Sequence, residues 1–68
     1  MTYREQEQEL LNFFHLAHLP DHLQTASRPF HDLAHAIYNT VDDSAELVAC
    51  LRKLLEAKDC AVRAQLGG

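Results

Sequence analysis

The sequence predicts an all-α fold: an antiparallel helical hairpin with an extra N-terminal helix, assembling into a compact homo-oligomer. Three observations carry this. Apolar residues recur at helical spacing along most of the chain. Only two short stretches, Leu19-Pro20-Asp21 and Asn39-Thr40-Val41-Asp42, read as breaks. The chain has just 68 residues, yet it carries more apolar surface than one small core needs. A chain this short buries only about 60% of its unfolded surface and is marginal alone. No standard metal motif is present, so self-association is the expected source of extra stability.

The chain reads as one domain, residues 1–68, with helices at about 3–18, 20–39 and 43–66. The first helix opens with Tyr3, Arg4 and a polar run from Glu5 to Glu9, placing acids near its positive N-terminal end. Leu10, Leu11, Phe13, Phe14, Leu16 and Ala17 follow, covering more than one face. A helix apolar over so much of its circumference meets partners on two sides.

Proline at position 20 ends that helix, because the residue before a proline disfavours the α conformation, and it suits the start of the next. From Leu23 the apolar positions are Leu23, Ala26, Phe30, Leu33, Ala34 and Ile37, and they pass straight through Pro29. A single helix kinked near Pro29 fits this spacing. A short turn followed by a second helix capped by Ser27 fits it too.

The last helix is the strongest. Ala, Leu, Glu, Lys, Arg and Gln fill most of Asp43 to Leu66. Asp43 and Glu46 suggest a capping box, and Gly67 is placed to stop the helix in the left-handed conformation. The short connection before it predicts that Phe30, Leu33 and Ile37 pack against Leu47, Leu51, Leu54 and Leu55 in an αα-hairpin. Lys58 interrupts the apolar stripe, about 20° from Leu51 around the helix. Either it snorkels to solvent, or the stripe opens there into a pocket or subunit interface where the ammonium meets an anion.

The formal net charge of −4 opposes broad binding to DNA or RNA polymers, which needs a basic surface. It leaves room for a small anion held by a local cluster. Arg52, Lys53, Lys58 and Arg63 all lie in the last helix. Cys50 and Cys60 are ten positions apart on that helix, about 15 Å, too far for a disulfide within the chain. Reduced thiols and a cytoplasmic location are expected, with no signal peptide and no membrane partner.

Five histidines invite a metal reading. His31 and His35 share a face at i, i+4, but no intervening glutamate or third ligand accompanies them. No metal and no cofactor is expected. Ser27 and Ser44 are the only serines and both read as caps. No nucleophile motif, paired catalytic carboxylates or glycine-rich phosphate loop occurs, so an enzyme is not expected. The candidate ligand contacts are Lys58, Arg28, Arg63 and Arg4 for phosphate, with Tyr3 and Phe30 for stacking.

Two segments, PFHDLAHAI (Pro29 to Ile37) and LRKLLEAKDCAVRAQL (Leu51 to Leu66), are joined through TVDDSAEL. Together they resemble the small phage helical-hairpin family that includes the anti-CBASS cyclic-oligonucleotide sponges and the related Thoeris anti-defence proteins. Leu33, Ala34, Ile37, Asp42 or Asp43, Glu46, Ala49, Lys53, Leu54, Glu56, Ala57, Ala61 and Ala64 carry the resemblance. The chain departs from the pattern where Val41 replaces the turn proline and where Cys60-Ala61-Val62 replaces a Trp-Ala-Asn segment. The resemblance implies a hexamer built from dimers. It would bind cyclic dinucleotides, and sometimes cyclic trinucleotides, between subunits in the host cytoplasm, sequestering a second messenger without cleaving it. An alternative from the residues alone is a protein-interaction module acting through Leu10, Phe13, Phe14 and Leu16 of the first helix.

Overall fold

The computed structural model describes residues 2–67 and is all-helical. Helix α1 spans Tyr3–Asn12, α2 spans Asp21–Thr40 and α3 spans Ala45–Gln65. The molecule is elongated, 36 × 20 × 20 Å, as a bundle with two helices of about 30 Å must be.

Helix α1 begins where Thr2 accepts a hydrogen bond from the Glu5 amide on its hydroxyl, 3.1 Å away. It stops at Asn12, short of the expected His18. Past that point Phe14 bonds back to the Leu11 carbonyl and Leu19 to Leu16, in isolated tight turns. The reason is packing. A continued helix would carry Phe13, Leu16 and Ala17 around its circumference; the turn ends it while Phe14, on the inward line of α1, stays fully inside at 0% exposure.

Helix α2 starts after Pro20, whose carbonyl accepts from Leu23 and Gln24. The Gln24 side chain also bonds the Leu19 carbonyl at 2.8 Å. The helix runs through Pro29 as one element. Ser27 therefore caps nothing; it is mid-helix and buried. Helix α3 is capped by Ser44, which accepts from the Leu47 amide, and not by Asp43. At its far end Gly67 takes φ +84° and bonds the Ala64 carbonyl, the left-handed stop that only glycine adopts without cost.

The core is Leu11, Phe14, Ala34, Leu47 and Leu51, with Phe30, Ile37, Leu54 and Leu55 packed against it. Leu33 was expected there but lies 49% exposed; Ala34 fills the place, with Phe30 and Ile37 on its flank. Leu66, at the end of α3, is also outside. Helix α3 packs against both other helices, while α1 and α2 touch least. Glu7 meets Ser44 and Phe13 meets Lys58, so α1 and α3 run the same way. Helix α2 runs antiparallel to both, with Tyr38 near its end beside Gln8 of α1. Among the described residues no helix is long and apolar enough to cross a membrane.

Candidate functional site

Helix α1 is held to α3 by two ionisable side chains, Lys58 past its C-terminal end and Glu7 at its middle. At the C-terminal end, the Lys58 ammonium donates to the Phe13 carbonyl at 2.7 Å. It lies 3.5 Å from Asp59 and 5.8 Å from the centre of the Phe14 ring. A helix leaves its last carbonyls unpaired and carries partial negative charge there, so a cation is well placed. Lys58 thus neither snorkels freely nor opens a pocket: it caps α1 from the neighbouring helix.

At the middle of α1, Glu7 is buried at 0% exposure. Its Oε2 accepts from the Ser44 amide, 3.4 Å away, at the start of α3. Among the described residues its Oε1 accepts no hydrogen bond; the Arg4 guanidinium is 3.6 Å away. Burial pushes the Glu7 carboxyl above the usual carboxylate range, and hydrogen bonding with Asp43 pushes the same way; the Ser44 amide and Arg4 oppose them. Arg4 also stacks over the Tyr38 ring at 4.5 Å, and Tyr38 accepts a hydrogen bond from Gln8.

Glu7 was hidden in the polar run Glu5 to Glu9. The signal that finds it is spacing. Leu10, Leu11 and Phe14 follow it at i+3, i+4 and i+7, which is the inward face of α1. The second buried polar group is Ser27, 1% exposed, whose hydroxyl has no partner among the described residues.

The six expected contact residues do not come together. Tyr3 and Arg4 lie at the end of the bundle that holds the α2–α3 loop. Arg28 is twelve residues before the end of α2 and Lys58 thirteen after the start of α3, each about 18–20 Å from that loop. Arg28 is exposed, and Arg63 is exposed with its guanidinium 3.3 Å from the Cys60 sulfur. Phe30 is half-buried against the core. The first-helix surface of the interaction-module reading is mostly spent inside the chain. Phe14 is fully buried, Leu10 packs on the core, and only Phe13 stands out, 59% exposed.

His31 and His35 stack at 4.5 Å between ring centres, and His31 bonds Asp32 at 3.0 Å. Burial lowers the His35 pKa, helped by repulsion from His31 and His15 and opposed by Asp32. Among the described residues no three His, Cys, Asp or Glu side chains converge as metal ligands. Both cysteines are free and exposed. No pocket forms within the single chain among the described residues. No known protein family, curated protein or solved structure matches the chain.

Proposed function

We propose that this chain is a non-enzymatic binding protein that self-associates and sequesters a cyclic di- or trinucleotide between copies of itself, as the resemblance implies. The observation that supports it is the apolar surface left outside the single chain. Leu33, Phe13 and Leu66 are exposed, while no pocket forms among the described residues of one copy. A second copy would both cover such residues and complete a ligand-sized cleft.

Within this reading the phosphate contacts fall to Arg28 and Arg63, whose guanidinium groups are exposed. Lys58 is the weaker candidate, because one of its N–H groups is held by Phe13 and Asp59 lies 3.5 Å away. Tyr3 and Arg4 could share a site with Arg28 only across copies, being at the opposite end of the bundle. The test is a thermal-shift panel of cyclic di- and trinucleotides, with linear dinucleotides and ATP as controls. A ligand that binds only the folded state raises the melting temperature by mass action. The expected result is a large shift with a cyclic compound that is recovered intact. No shift with any of them, from a folded sample, would sink the reading.

A further inference from the structure

Helix α1 covers only one side of the α2–α3 hairpin. Its contacts fall on Tyr38 of α2 and on Ser44 and Lys58 of α3. Turning about 100° per residue from those positions gives the side facing away from α1. On α2 that side carries Pro29, Leu33 and Ala36, and on α3 it carries Cys50, Ala57 and Ala64. All six are exposed. Because the two helices are antiparallel, both flanks point the same way and form one continuous face.

From Leu23 to Thr40 the middle of that flank of α2 holds no ionisable side chain; Asp32 borders it, one turn from both Pro29 and Ala36, and Arg28 lies further round towards solvent. On α3 the face holds one acid, Glu46, and one base, Lys53, both exposed. Neither makes an ion pair among the described residues. They are seven residues apart, two turns along one line of the helix.

This charge pattern matches its own antiparallel copy. With two α3 helices antiparallel, Glu46 of each faces Lys53 of the other. A parallel pairing would set Glu46 against Glu46, which repels. In this register the two α3 helices overlap from Ala45 to Leu54, with Ala57 and Ala64 beyond the partner's α3; Cys50, small and at the crossing, lets them approach closely, at the short end of the usual 8–10 Å between axes. We propose that the α2–α3 face opposite α1 binds a second copy of this chain, with the α3 helices antiparallel and the two-fold axis beside Cys50. The apolar surface supplies the affinity, and the Glu46/Lys53 pairs set the register. This rests on the self-association in the reading above and not on the ligand, so the tests use no nucleotide.

Light scattering of the full chain should give a dimer or a multiple of it. Leu33→Arg, at an exposed position, should lower the mass at least twofold with the helical circular dichroism unchanged. Glu46→Lys or Lys53→Glu alone should weaken assembly at least tenfold, and the double swap should restore it. A short bis-maleimide should link two copies through Cys50, and the Cys60→Ser variant should link as well as the natural chain. A monomeric natural chain, or an unchanged mass in Leu33→Arg, would overturn the interface. Failure of the double swap to restore assembly, or linking that needs Cys60, would overturn the register. A ligand-free dimer that ignores every cyclic nucleotide would overturn the proposed function and leave the interface standing.

Discussion

Two charged residues do structural work that their surroundings explain. Lys58 is a side chain at 13% exposure whose ammonium bonds a helix-end carbonyl. Hydrogen bonds to charged groups contribute about 1.5–3 kcal/mol. Lys58→Met keeps the apolar stem and removes the donor, so urea unfolding should show a loss of about 1.5 kcal/mol. Glu7 acts in the opposite sense at neutral pH. Its folded pKa is raised, so its contribution to stability is fully present below the unfolded carboxyl value and is lost as pH rises through the folded one. Glu7→Gln keeps an oxygen for the Ser44 amide and adds an N–H for Asp43. It should therefore raise stability at pH 7 and flatten the pH dependence above the ordinary glutamate range. Equal stability of the variant and natural chain across pH 4 to 8 would show that Glu7 is not buried as described. His35 has the other sign: its lowered pKa removes stability as pH falls below about 6.5, the ordinary histidine value. The two slopes separate by substitution.

At the scale of elements, α2 contains the conflict between local preference and packing. Pro29 is inside the helix, lacks an amide hydrogen and crowds the Thr25 carbonyl four residues back. Both residues are exposed, so water can satisfy that carbonyl. Ser27, two residues earlier, is buried with an unpaired hydroxyl. Ser27→Ala should stabilise by about 1 kcal/mol, because it removes an unpaired buried polar group and adds a better helix former. Thermal unfolding in the Leu33→Arg background reads this without assembly. Much of this layer was legible in the sequence. The three helices, the break at Pro20, the short α2–α3 connection and Gly67 follow from local rules, and local rules are strongest at helix ends. The misses have tertiary causes. The end of α1 is set by Lys58 holding the Phe13 carbonyl. Leu33 yields the core to Ala34 because the stripe is continuous around nearly half of α2, and pattern alone does not say which edge faces inward. Glu7 looked like one more surface acid because composition, and not phase, governed the reading of α1. The expected ligand residues were chosen by chemistry one at a time, and spacing within helices does not reveal that they lie at opposite ends of the bundle.

For the whole molecule the question is what completes it. A three-helix chain of this length has a small core, here five buried side chains with a partly buried shell, and its stability alone is marginal. One side of the hairpin has α1 across it and the other has none. If a second copy covers the second side, folding and association are linked, and the unfolding midpoint must rise with protein concentration by mass action. A monomer has no such dependence. Scanning calorimetry of the natural chain over a hundredfold concentration range should therefore show a rising melting temperature. The Leu33→Arg variant should show a lower and concentration-independent one. The same face would then link stability to ligand. A nucleotide bound between copies would stabilise the natural chain and leave Leu33→Arg unmoved, because the cleft exists only in the assembly. A Leu33→Arg monomer that still gains stability from the nucleotide would place the binding site within one copy and separate the interface from the function.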